Sequence, residues 1–236
     1  MRVEQILSIV AVGALITGCM PTYYAGIRGA NGPPIVAAPS LNGQMYRYLS
    51  FDAGNGTVFN DSEYNHYARA RYLWALSNRH SDTNLGIAVY QGRYSAIHTG
   101  DFNGVNGYYG LAPSLSHALH ISKGRVDLGL GVHAVLALEG GDFLTFRRKT
   151  ENANLAENDT TVASVLLALY PMLRYRPDDV SNVTLQVAVG TMGPLSPSLM
   201  YQRNRSFLWL YWMPNYLSGN TRHGFGSFAL GIGRRL

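Results

Sequence analysis

Residues 128 to 142, LGLGVHAVLALEGGD, alternate along the chain. Leu128, Leu130, Val132, Ala134, Leu136 and Leu138 fall on one side of an extended backbone, and Gly129, Gly131, His133, Val135, Ala137 and Glu139 fall on the other. A two-residue period is the mark of a strand with two unlike faces. It does not say what each face meets. In a soluble sandwich or ligand-binding barrel the large apolar face looks into a protein core. In an outer-membrane barrel it looks into lipid, and the small or polar face looks inward.

Similar runs follow one another from residue 44 onward, near 44 to 53, 64 to 76, 83 to 94, 108 to 121, 126 to 139, 161 to 175, 183 to 191, 206 to 217 and 224 to 236. No helical pattern competes with them, and the series predicts an all-β fold, an up-and-down antiparallel β-barrel of about 8 to 10 strands. Nine runs sit badly with the even strand number of bacterial single-chain barrels, so one run is missing or misassigned. The predicted links alternate in length. Ser77 to Asp82, Ser122 to Arg125, Arg176 to Asn182 and Ser218 to His223 are short, whereas Gly54 to Glu63, Ser95 to Gly107, Gly140 to Thr160 and Met192 to Arg205 are long. Short turns at one rim and long loops at the other are a feature of transmembrane barrels. Pro113, Pro171 and Pro214 interrupt the pattern, and bulges would accommodate them.

Strand length favours lipid, because many runs exceed the usual 5 to 6 residues and match the roughly 9 to 11 needed to cross a membrane at a tilt. On this reading the apolar faces around Leu128 to Leu138, Ala163 to Leu173 and Val183 to Val189 point outward. The inward faces then hold Arg69, Arg71, His120, Asp127, His133, Glu139 and Arg174. In a barrel of about eight strands such side chains fill the lumen, so the expected arrangement is a plug of ion pairs. If the link Ser122 to Arg125 is a tight turn, His120 opposes Asp127 and Ser114 opposes His133, giving two inward polar pairs of structural character. A Ser114, His133, Asp127 triad is excluded within that hairpin, since six residues at about 3.3 Å each separate Asp127 from His133 by on the order of 20 Å.

Composition narrows the partners. Charged residues make up 14% of the 236 residues, with 26 Gly and 16 Tyr, and lysine occurs only at Lys123 and Lys149. The formal net charge of +5 rests on arginines that form no basic patch interleaved with aromatics, so nucleic acid is not an expected partner. The seven histidines, His66, His80, His98, His117, His120, His133 and His223, show no spacing that sets two ligands on one face. Neither a metal nor a cofactor is expected, and no nucleophile with a spaced base points to an enzyme.

The first nineteen residues, MRVEQILSIVAVGALITGC, combine Arg2, an apolar stretch from Ile6 to Ile16 and small residues ending in Cys19, the single cysteine. This is the layout of a secretory signal peptide, too short for a spanning helix of about 20 residues. Ile16-Thr17-Gly18-Cys19 resembles the lipobox of bacterial lipoproteins. The resemblance implies a signal peptide at 1–18 and acylation of Cys19. It further implies a lipid-anchored extended leader over 19–43, rich in Pro and Gly, and a barrel domain over 44–236. Met20, in place of the Asp that retains lipoproteins in the inner membrane, favours the outer membrane.

In layout the chain resembles the small outer-membrane β-barrel lipoproteins of Gram-negative bacteria. That implies a structural or interaction role in the cell envelope, with outer-membrane lipid as partner and envelope proteins met through the long loops. Two alternatives stay open from the sequence: a lipid-tethered soluble barrel or sandwich that binds an apolar ligand, and a barrel enzyme acting on envelope components.

Overall fold

Ten strands close into one antiparallel barrel in the computed structural model of the chain, which describes residues 22–23, 43–57, 64–96, 104–152, 157–158, 160–190, 193–213 and 227–236. The strands are β1 (Met45–Thr57), β2 (Tyr64–Ser77), β3 (Ser81–Ala96), β4 (Gly104–Lys123) and β5 (Val126–Gly140). After helix α1 (Asp142–Asn152) come β6 (Ala163–Tyr175), β7 (Ser181–Gly190), β8 (Gly193–Arg203), β9 (Ser206–Met213) and β10 (Ser227–Arg235). Each strand pairs with its neighbours in sequence, and β10 closes on β1 through pairs such as Gly231 with Asp52. A closed meander leaves no free edge, so every strand finds hydrogen-bond partners on both sides.

Links 78–80, 124–125, 176–180 and 204–205 lie at one rim. Gly43 and Leu236 stand there too, their N–H groups donating to Ser77 O at 3.0 Å and Arg47 O at 2.9 Å. The strand ends at the opposite rim are joined in sequence by 58–63, 97–103, 141–162, 191–192 and 214–226. The expected asymmetry holds except at 191–192.

That exception comes from β8, the strand absent from the sequence reading, which expected a long loop over Met192 to Arg205. Its sequence, GPLSPSLMYQR, contains two prolines, and its inward positions Ser196 and Ser198 look like turn residues. The alternation is nonetheless present, with Leu199 and Tyr201 outward and Ser198, Met200 and Gln202 buried. Including it restores an even number, and the connection from β9 to β10, expected as the short link Ser218 to His223, joins strand ends at the long-loop rim.

Helix α1 is the second departure. Phe143, Leu144, Phe146, Arg147 and Thr150 are its buried residues, spaced as one helical face. Asp142 begins it and Lys149 lies in its last turn, both favourably placed for the helix dipole. It sits against β4 and β5 at the long-loop rim.

Prolines 113 and 171 need no bulge. Pro113 pairs with Ile87 of β3, while the β4–β5 ladder skips Ala112 and Pro113 and resumes in the same register at Ser114 and Val135. Likewise Pro171 pairs with Leu130 of β5, and the β6–β7 ladder skips Tyr170 and Pro171. Each proline faces an unbroken ladder on one side and a gap on the other, as a residue without an N–H must. Pro214 lies outside the described residues.

Throughout the barrel the large aliphatic faces point out. Leu128 is 61% exposed and Val165 also 61%, whereas Arg174 on the inward face is 0% exposed. Inward glycines receive aromatic rings from the adjacent strand: Tyr170 covers Gly131, Trp209 covers Gly231 and Phe207 covers Gly233, so close that a Cβ would collide with the ring. The core of this protein is therefore its lumen, where tyrosines, small residues and ion pairs interlock.

Candidate functional site

Register decides which inward groups meet. The β4–β5 turn consists of Gly124 and Arg125 alone, with Gly124 in the left-handed region at φ 62°, and Lys123 pairs with Val126. This two-residue loop replaces the expected four-residue link, Ser122 to Arg125, and slides the pairing by two positions. His120 therefore opposes Gly129, Ser122 opposes Asp127, and Ser116 opposes His133. Since the slide is an even number, every residue keeps its expected face. The pairs His120 with Asp127 and Ser114 with His133 are both corrected by it.

At the short-turn rim the inward groups form a belt across most of the strands. Arg174 of β6 donates to Asp82 of β3 at 2.5 Å and approaches Asp127 of β5 at 3.4 Å. Asp127 also accepts from Arg176 at 2.6 Å. On the same Asp82 carboxylate, Ser77 Oγ donates to Oδ1 and His120 Nε2 lies 3.5 Å from Oδ2. The belt continues from Arg174 to Thr184, Asn182, Gln202 and the Tyr48 hydroxyl through contacts of 3.3 to 3.4 Å. Phe207 then packs on Tyr48 with centroids 5.8 Å apart.

A second tier lies deeper in the lumen. Arg69 holds Asp52 in a fork, with Nε 2.8 and 2.9 Å from the two carboxylate oxygens and Nη2 2.7 Å from Oδ2. Its guanidinium also stands over the rings of Tyr67 and Trp209 at 5.9 and 6.0 Å. The Tyr67 and Tyr211 hydroxyls bond each other across the lumen. Ser116 Oγ is 3.1 Å from His133 Nδ1, and Arg71 and Arg69 are the charged groups that act on that imidazole.

Near the long-loop rim the buried face of α1 packs on the lumen side of β4 and β5. Arg147 pairs with Glu139 of β5, and its guanidinium lies 5.2 Å from the Phe143 ring centre. Phe143 stacks on Tyr94 at 4.4 Å and is followed by Phe146 at 6.0 Å. Tyr108 donates to Asn65 Oδ1 at 2.6 Å.

The chemistry of this arrangement is that of a filled lumen. Ser77 and His120 address opposite oxygens of one carboxylate, so the imidazole is not set to deprotonate the hydroxyl. Ser116 and His133 face arginines where a relay needs an acid. Among the described residues no group of three or more His, Cys, Asp or Glu is placed to hold a metal ion. Asp52, Asp82 and Arg147 enter the network without having been singled out in the sequence. Asp82 falls in the link Ser77 to Asp82, Asp52 near the end of the run 44 to 53, and Arg147 in the link Gly140 to Thr160, where the alternation carries no signal for them. Cys19 lies outside the described residues.

Outside, charged side chains on outward-facing strand positions occur only near strand ends: Arg47, Lys123, Arg203 and Arg234 towards the short-turn rim and Arg93 towards the other, among the described residues. Between them runs an apolar wall.

No protein-family model matches the chain, and no curated protein does. Among solved structures it is similar to Neisserial surface protein A, with 11% identity and a TM-score of 0.34 over 82% of this chain and 99% of that one. It is similar also to the outer membrane protein OprG from Pseudomonas aeruginosa, with 8% identity and a TM-score of 0.38 over 85% and 99%. A third likeness is to the translocator domain of the autotransporter NalP from Neisseria meningitidis, with 11% identity and a TM-score of 0.40 over 99% and 94%.

Proposed function

We propose that this chain is an integral outer-membrane β-barrel, lipid-anchored through Cys19, whose plugged lumen gives it a structural or interaction role in the cell envelope. The observation that carries the reading is the inversion of the usual pattern: aliphatic side chains cover the outer wall while arginines and carboxylates fill the inside. A water-soluble barrel would expose that wall at great cost, whereas lipid solvates it. A soluble binder of an apolar ligand needs its large apolar faces turned inward, and here they are turned out. The long-loop rim, carrying α1, is the surface offered to envelope partners.

The barrel domain without residues 1–43 should require detergent to stay dispersed and should migrate differently in gel electrophoresis before and after boiling. A domain that is monomeric and folded without detergent would overturn the reading. For the anchor, palmitate labelling in cells should be lost in Cys19→Ser, and labelling that persists would remove the lipoprotein part alone.

A further inference from the structure

We infer that the outer wall formed by β8, β9, β10 and β1 holds one anionic phospholipid, its phosphate between Arg203 and Arg234 and an acyl chain in the furrow beside them. This rests on the membrane-barrel reading. The ladder sets Arg203 opposite Ser206 and Ser206 opposite Arg234, and all three are exposed on the outer face. Neighbouring strands lie about 4.8 Å apart, so the two arginine Cα atoms stand roughly 10 Å apart with a hydroxyl between them. Guanidinium arms of that spacing close on a single phosphate, which accepts their paired N–H donors and the serine O–H.

One step towards mid-barrel the outward row becomes Leu208, Ile232 and Phe51, lining a furrow of about 600 Å³ that has Arg203 and Arg234 at its edge. At Phe51 and Ile232 it runs into a second furrow of about 1080 Å³, shallow-walled where Ala53, Ala68 and Ala70 replace large side chains. An acyl chain entering beside the arginines thus has a mainly apolar track towards the membrane centre, continuous at Phe51 and Ile232.

Charge complementarity selects the headgroup. Arg203 and Arg234 share the patch with no acidic strand residue on its outer face among the described residues. The carboxylate of Asp178, on the adjoining turn, accepts from the Val180 N–H at 2.9 Å and also acts on Arg203, so the two arginines together leave the patch net positive. Cations at headgroup level attract anionic lipid.

The full chain, purified in detergent, is titrated with phosphatidylglycerol or phosphatidylcholine, and bound lipid is counted by native mass spectrometry. One phosphatidylglycerol should be retained in preference to phosphatidylcholine, with affinity falling about fivefold for each arginine removed in Arg203→Gln and Arg234→Gln. The pair Arg79→Gln and Arg125→Gln, at other turns of the same rim, should retain the lipid. Equal loss in both pairs would mean diffuse attraction and overturn the site. Inorganic phosphate that displaces the lipid at equal concentration would show an anion site indifferent to the chain and overturn it too. Ile232→Trp, which fills the furrow and spares both arginines, should also weaken binding, and unchanged binding overturns the proposal. Should the glutamine variants not fold, Ile232→Trp still carries the test. A folded, detergent-requiring barrel with no lipid preference refutes only this site, whereas a chain soluble without detergent refutes the membrane reading itself.

Discussion

Asp82 shows how much rests on single lumen residues. Its carboxylate is met by Arg174, Ser77 and His120 at once, all of them buried. Replacing it by Asn keeps the shape and removes the charge, leaving Asp127 at 3.4 Å as the carboxylate facing Arg174. Breaking a buried pair by deleting one partner costs about 3 to 5 kcal/mol. Asp82→Asn is thus expected to lower the urea midpoint of the detergent-refolded barrel, followed by tryptophan fluorescence, and an unchanged midpoint would show the belt to be energetically idle. Glycines give a sharper contrast. At Gly131 a methyl group meets the Tyr170 ring, whereas at Gly107 nothing lies within 4 Å. Overpacking costs about 1 to 3 kcal/mol, so Gly131→Ala should be destabilised by that much in the same measurement and Gly107→Ala should not.

Strands were legible to the degree that their alternation was loud. Faces around Leu128, Leu167 and Leu185 follow directly from large residues at every second position, and the structure keeps all of them outward. β8 was hidden because its inward row begins with Ser196 and Ser198 and its outward row includes Pro197, which weakens the contrast that defines a strand. The β4–β5 register escaped for a different reason. Alternation fixes parity, and two registers differing by two positions satisfy it equally, so only the turn geometry at Gly124 separates them. Helix α1 was readable in principle from the spacing of Phe143, Phe146, Arg147 and Thr150, but the Gly-Gly-Asp start looked like a loop. That helix carries a prediction of its own. Its buried face stands at one end of the lumen, and the Asp82–Arg174 belt lies near the other. Deleting residues 142–152 should therefore speed maleimide labelling of Ala137→Cys, inward and 1% exposed, without raising ion conductance across planar bilayers. Conductance that rises with the helix gone would mean that the belt is no barrier.

Across the whole molecule, the described ends of the leader stand at opposite rims. Gly43 donates to Ser77 O beside the short turns. Thr22–Tyr23, by contrast, pair in parallel with Glu157–Asn158, in the connection that runs from α1 to β6 at the long-loop rim. Outer-membrane barrels direct short turns to the periplasm and long loops to the exterior. On the proposed acylation of Cys19, three residues before a segment paired at the long-loop rim, the anchor is expected in the outer leaflet. A peptide epitope inserted after Met20 should be bound by antibody on intact cells. One inserted after Gly124, in the β4–β5 turn, should be reached only after permeabilisation. If the leader epitope also requires permeabilisation while the long loops do not, the Thr22–Tyr23 pairing does not hold in the membrane, and the anchor lies instead on the periplasmic side with Gly43.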